Sequence, residues 1–158
     1  MMIEKATMQD IEQLTQLRLA YLMEDHGELN EKEREIIKTK LPDYFTRNLN
    51  HNIFSYVVRI EQEIVACAWL LVVEKPMSPA FINGKTGTVL NVYTKPKHRC
   101  KGYGKQVMNM LLRDAVNMEL SVVELKATEA GYSLYQSIGF KDVVSSYHQM
   151  EWRCFTNT

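Results

Sequence analysis

Residues 97–105, Lys-His-Arg-Cys-Lys-Gly-Tyr-Gly-Lys, bring together the groups needed to hold a phosphate or pyrophosphate. Arg99, Lys101 and Lys105 supply cations, Gly102 and Gly104 supply bare backbone, and an amphipathic helix starts at the same place. The first turn of a helix leaves about four N–H groups without an internal acceptor. The helix dipole adds about half a positive charge there. Glycine removes the Cβ that would keep an anion away from those amides. Cys100 and Tyr103, inside the same run, offer their own backbone N–H groups. The plain alternative is a basic, glycine-containing turn with no ligand.

Two better-known phosphate loops are excluded. Gln106 follows Lys105 where a P-loop needs Ser or Thr, and no glycine lies five residues before Gly104. The dinucleotide fingerprint needs three glycines opening a βαβ unit, and only two are present. The flanks fit a strand, a loop and a helix. Residues 87–94 are rich in strand formers, namely Thr88, Val89, Val92, Tyr93 and Thr94, and Pro96 closes that run. After the loop, Val107, Met108, Met110, Leu111, Leu112, Ala115, Val116 and Met118 recur at three- and four-residue steps, the stripe of a helix packed on a sheet. A further strand is predicted over 121–126. It precedes a short helix with Thr128 as N-cap, Leu134 and Ile138 on one face, and Gly139 as its stop.

With these elements in order, residues 87–144 resemble the acetyl-CoA core of the GNAT (GCN5-related) N-acetyltransferase superfamily. That family carries Gln/Arg-x-x-Gly-x-Gly/Ala after its fourth strand, matched by Arg99, Gly102 and Gly104. It also ends its next helix with Tyr-x-x-x-Gly-Phe, matched by Tyr135, Gly139 and Phe140. The amino-terminal part agrees in its element order. Thr128 stands where many members have Asn.

The resemblance implies acetyl-CoA as co-substrate and direct acetyl transfer to a primary amine of a small molecule or peptide. On that reading the loop Arg99, Cys100, Lys101, Gly102, Tyr103, Gly104 and Lys105 cradles the CoA pyrophosphate. The strand Asn91, Val92, Tyr93 and Thr94 lies against the pantetheine arm and pairs with its amides like an added strand. The same backbone can polarise the thioester carbonyl. Tyr135 is the expected general acid, protonating the CoA sulfur as it leaves; the competing role is packing ahead of Gly139-Phe140. Thr128 and Ser133 are weaker cofactor contacts, with an N-cap and a surface hydroxyl as their ordinary roles. The same fold also admits an acyltransferase using another acyl-CoA, or a non-catalytic CoA-binding module.

No general base stands out. Glu74 and Glu124 read as solvated carboxylates, Asn91 cannot act as a base, and a water chain can deprotonate the ammonium. His26, His51, His98 and His148 lack the spacing of a zinc site, so no metal is expected. Cys100 has no implied histidine partner and its thiol reads as a spectator. The acidic segment 24–31 either draws a cationic amine or is a solvated helix end. Tyr21, Tyr44, Phe45 and Trp69 either shape an acceptor pocket or belong to the core.

Nineteen basic and nineteen acidic residues cancel, which argues against a long nucleic-acid or membrane surface. Three scattered cysteines with no Cys-x-x-Cys pair fit a reduced, cytoplasmic setting. The opening residues hold no apolar signal-peptide core, and the longest apolar run, 64–73, is too short to span a bilayer. The length suits one domain. We expect a single-domain α/β GNAT fold over 1–158, with a central mixed, mostly antiparallel twisted sheet flanked by helices. A homodimer is compatible with it. The remaining elements are predicted as a strand at 3–7 and a helix from Asp10 to Gly27. A second helix over 31–48 breaks near Pro42. Strands follow at 53–60 and 64–73, then a loop at 75–84. The tail over 143–154 is expected to hold one or two strands, with a frayed end at 156–158.

Overall fold

The structure, a computed structural model, describes residues 1–155. Its elements run β1 (Met2–Lys5), a 3-10 turn (Met8–Asp10), α1 (Ile11–His26), α2 (Glu31–Asn48), β2 (Ile53–Ile60), β3 (Glu63–Glu74) and β4 (Lys85–Thr94). A second 3-10 turn (Pro96–His98), α3 (Tyr103–Asn117), β5 (Val122–Glu124) and α4 (Tyr132–Ser137) follow. The chain divides into two compact units, Met1–Lys126 and the remainder from Ala127.

The first unit is built on a five-stranded sheet in the order β1-β2-β3-β4-β5. Its first three pairings are antiparallel and the last, β4 with β5, is parallel. The mixed sheet flanked by helices agrees with the expectation from sequence. Central β3 is buried from Ile64 to Leu70, as a strand covered on both faces must be. Side chains alternate between the faces. Val57, Cys67 and Trp69 join Leu14, Leu17, Phe45 and Leu49 of the helical layer in one core. Tyr56, one residue out of phase with Val57, sends its hydroxyl to the Asp114 carboxylate of α3 at 2.7 Å. The amphipathic stripe of α3 buries Val107, Met108, Leu111 and Ala115. Phe45 meets Trp69 edge to face at 5.1 Å, a geometry worth roughly 1 kcal/mol beyond its buried area.

Three local expectations need correction. α2 runs unbroken from Glu31 to Asn48 with Pro42 inside it. Proline deletes one helical hydrogen bond, but Asn30 and Glu33 form a capping box at the start and Phe45 and Leu41 anchor the far half in the core layer. In the second unit, α4 begins at Tyr132 with Gly131 as its N-cap, so Thr128 does not cap it. The Thr128 hydroxyl instead accepts from the Gly131 N–H at 3.2 Å, closing the turn that precedes the helix. Residues 143–155 form no strand, and Val143, Val144, Tyr147, Met150, Trp152 and Phe155 are exposed. The expectation for 156–158 lies outside the described residues. The other predicted elements differ from the observed ones mainly at their ends, where hydrogen bonding to neighbours sets the limit.

Candidate active site

β4 carries an irregularity at the position that the sequence singled out. In its register with β3, Cys67 faces Tyr93 and Trp69 faces Leu90, which leaves Asn91 and Val92 together opposite Ala68. This is a β-bulge, and its extra residue Asn91 has φ of 52°. Asparagine tolerates the left-handed region better than most residues. The bulge is locked from beneath. Asn91 is 2 % exposed; the Cys67 thiol donates to its carbonyl at 3.4 Å, and its side-chain amide donates to Cys67 Sγ at 3.7 Å. Burial pushes the Cys67 thiol up to about 12, outweighing the hydrogen bonds from Asn91 and the Tyr93 backbone that favour the thiolate. The thiol is therefore a neutral packing group.

The edge of β4 away from β3 opens close to the bulge. β5 pairs only with Thr86, Gly87 and Thr88. β4 continues through the bulge to Thr94, and among the described residues that stretch has no strand on its β5 side. Asn91, Val92, Tyr93 and Thr94 thus share an edge able to take an extended ligand by backbone pairing.

The basic, glycine-containing loop follows directly. The turn Pro96–His98 leads to Cys100 with φ of 63° and Gly102 with φ of 81°. Both lie in the left-handed region, within three residues of the start of α3. Gly102 is the N-cap of α3, and no side chain caps that end. The amides of Tyr103, Gly104 and Lys105 lie in the first turn, while the Gln106 N–H already bonds the Gly102 carbonyl at 3.1 Å. Lys101 and Lys105 are exposed beside them. His98 Nδ1 and Gln106 Oε1, which flank the loop in sequence, are buried without a hydrogen-bond partner in the described structure. The first-turn amides and the two lysines are the donors and charges that a phosphorylated ligand requires.

Arg99, expected as a rim cation, is engaged within the protein. Its Nε donates to the Thr94 carbonyl at 2.9 Å and its Nη2 to the Glu24 carboxylate at 2.7 Å, with the guanidinium 5.5 Å from the centre of the Tyr93 ring. The bond to Glu24 raises the Arg99 pKa against the opposing effect of burial. Arg99 therefore braces the loop against α1 and β4. Glu24, read from sequence only as part of an acidic run, is the partner in that brace.

One further cation enters from α1. Arg18 Nη1 donates to Asn91 Oδ1 at 3.3 Å, and its guanidinium stands 5.7 Å from the centre of the Trp69 ring. Reading α1 by its apolar residues passes over Arg18. The available signal is its position, four residues after Leu14 and seven after Ile11, on the face that packs inward. Phe45 and Trp69 belong to the core, whereas Tyr21 and Tyr44 are half-buried.

The residues of the second unit stand as follows. Tyr135 is half-buried in α4, with its ring 6.0 Å from that of Phe140. The Phe140 N–H donates to the Tyr135 carbonyl at 3.0 Å, so the Tyr-x-x-x-Gly-Phe motif closes on itself around Gly139 at φ of 105°. Ser133 and Thr128 are exposed. Glu74 is exposed, and Glu124 lies 3.8 Å from Lys75 at the surface. Among the described residues no group of three or more His, Cys, Asp or Glu is placed to hold a metal ion, and no helix is long and apolar enough to cross a membrane.

Comparison with known proteins agrees with this geometry. The acetyltransferase (GNAT) family model matches residues 11–140. No curated protein matches the chain. Among solved structures, a predicted acetyltransferase with acetyl-CoA from Clostridium acetobutylicum is 25% identical, covers 95% of both chains and superposes with a TM-score of 0.83. A GCN5-related N-acetyltransferase from Ralstonia eutropha JMP134 is 22% identical, over 94% of this chain and 97% of that one, with a TM-score of 0.78. A ribosomal-protein-alanine N-acetyltransferase from Brucella melitensis biovar Abortus 2308 is 19% identical, over 96% of this chain and all of its own, with a TM-score of 0.68. The last two show likeness of fold alone. The family match over most of the chain, with the bulged β4 and the uncapped first turn of α3 where the family motif falls, makes this chain a member of the GNAT acetyltransferase family.

Proposed function

We propose that the protein is an acetyl-CoA-dependent N-acetyltransferase that passes the acetyl group directly to a primary amine. The observation that carries this reading is the uncapped first turn of α3, entered through left-handed Cys100 and Gly102, beside the strand-free edge of β4. A neighbouring structure's acetyl-CoA supports the choice of co-substrate.

Acetyl-CoA, when bound, supplies an acetyl group activated as a thioester, whose carbon a neutral amine attacks with loss of the CoA thiolate. The amides from Gly102 to Lys105, with Lys101 and Lys105, hold the pyrophosphate. The edge from Asn91 to Thr94 pairs with the pantetheine amides and aligns the thioester. A backbone amide of the Asn91–Thr94 edge donates to the carbonyl oxygen as negative charge develops on it. The Tyr135 hydroxyl gives its proton to the departing sulfur and regains one from water, while the amine proton leaves to water, so the products are an amide and free CoA. Thr128 and Ser133 are assigned as outer contacts of the CoA. The full chain, 1–158, is proposed to work as one acetyltransferase domain in the cytoplasm, its three cysteines remaining as thiols.

Titration calorimetry with acetyl-CoA, CoA and ATP tests the reading. Micromolar binding of the first two without ATP binding is the expected result, followed by thiol release with amines. Absence of CoA binding would overturn the transferase assignment, and CoA binding without turnover of any amine would leave a binding module.

A further inference from the structure

Arg18 and Arg59 both point inward from the first unit, but they are satisfied differently. Arg59 donates to Glu4 at 2.7 Å and to Asp10 at 3.0 Å, and these carboxylates raise its pKa. Arg18 has no carboxylate within 4 Å among the described residues. Its hydrogen bond is a long one, at 3.3 Å, to the neutral amide oxygen of Asn91. Burial lowers its pKa, and Tyr21 and Tyr44 only partly offset that effect. A guanidinium carries five N–H donors, so most of its hydrogen-bonding capacity remains for another partner. Glu24, the acidic group with which α1 meets the active-site loop, is already taken by Arg99.

We propose that Arg18 is the acceptor-binding residue and that the acceptor is a small amine carrying a carboxylate, of the amino-acid class. This rests on the transferase reading above. A carboxylate accepts two parallel N–H bonds from a guanidinium, the pairing for which arginine is best suited. The guanidinium lies 5.7 Å from the centre of the Trp69 ring, and the partial burial of Arg18 strengthens a charge pair formed there. Its bond to Asn91 sets this cation at the β4 bulge, the proposed position of the thioester. In an α-amino acid the amine lies two bonds from the carboxylate carbon, so a carboxylate seated on Arg18 brings its amine to the same place. The same cation opposes a second positive charge, which selects against polyamines.

The test is thiol release with L-amino acids, each paired with its carboxamide, and with spermidine, for the full chain and for Arg18→Gln and Arg18→Lys. The parent protein is expected to favour at least one acid over its amide by about tenfold or more in kcat/KM, equivalent to about 1.4 kcal/mol. Arg18→Gln should erase that ratio through KM, with acetyl-CoA affinity unchanged by calorimetry, and Arg18→Lys should restore part of it. Equal or better use of the amides or of spermidine by the parent protein would overturn the proposal, as would turnover of no amino acid or a ratio that survives in Arg18→Gln. The parent-protein panel decides the matter even if a variant fails to fold. Normal CoA binding together with any of these adverse results removes this inference alone, whereas loss of CoA binding by the parent protein removes the transferase reading as well.

Discussion

The Arg99 guanidinium donates to the Glu24 carboxylate at 2.7 Å, which ties the loop before α3 to the carboxy-terminal turn of α1. The two side chains are 40% and 52% exposed. A bridge of that exposure contributes under about 1 kcal/mol. Its consequence is positional: the cation in the family motif is engaged by Glu24 and by the Thr94 carbonyl.

On the proposed function, pyrophosphate affinity rests on backbone more than on Arg99. Arg99→Ala should weaken acetyl-CoA binding by less than about tenfold, or about 1.4 kcal/mol. A urea double-mutant cycle with Glu24→Gln should give a coupling of about 0.5 kcal/mol. A loss of CoA affinity well above tenfold would mean that Arg99 leaves Glu24 to meet the ligand.

Gly102 separates conformational strain from ligand exclusion. At φ of 81° a Cβ is strained, yet no atom lies within 4 Å of where it would sit. Gly102→Ala should cost about 1–2 kcal/mol in urea unfolding. Gly102→Asp, which sets a carboxylate against the proposed pyrophosphate, should abolish acetyl-CoA binding in calorimetry. Unchanged affinity in that variant would remove the loop from the site.

Tyr135→Phe keeps the edge contact with Phe140 while deleting the hydroxyl. If the hydroxyl protonates the leaving sulfur, kcat should fall by about a hundredfold with acetyl-CoA affinity nearly unchanged. Steady-state kinetics beside calorimetry make the distinction. Equal turnover would return Tyr135 to a packing role.

Arg59 offers a stability test away from the chemistry. Its carboxylate partner Asp10 is 5% exposed and also accepts the Thr7 N–H at 2.8 Å. Arg59→Met would strand that buried charge and should cost roughly 3 kcal/mol. Urea denaturation reads the loss, and Asp10→Asn in the same background should recover part of it.

The cysteines predict a labelling pattern and a pH trend. Cys100 and Cys154 are exposed and should react with a thiol reagent in the native protein, whereas buried Cys67 should not. Acetyl-CoA should protect Cys100 if it occupies the loop. Because the folded chain holds the Cys67 proton up to about 12, the unfolded chain releases that proton first. The contribution is therefore fully present below the ordinary thiol range and declines as pH rises through that range toward about 12. Cys67→Ala should flatten that alkaline decline in urea titrations.

Short-range chemistry made much of this protein legible from its residues. Strand formers ending at Pro96, the glycines of the loop and the stripe of α3 are local patterns, and so are the two motifs that point to the GNAT family. The expected order of elements holds from Met2 through α4 because each depends on neighbours within a few positions. Pro42 shows where local reasoning fails, since packing of Phe45 and Leu41 carries the helix through it. The tail fails in the same way: β-branched and aromatic residues favour strands only where a partner edge exists, and 143–155 forms none.

The sequence by itself therefore determined the fold class, the family and the loop that begins α3. Tertiary structure alone decided how the charges are used. Arg99 and Glu24 lie far apart in the chain, as do Arg18 and Asn91. Which cation is neutralised and which keeps its donors depends on where a helix crosses a sheet, and no spacing of residues along one strand of sequence encodes that crossing. The β4 bulge is of the same kind, because Asn91 becomes the extra residue only through the register of β4 against β3.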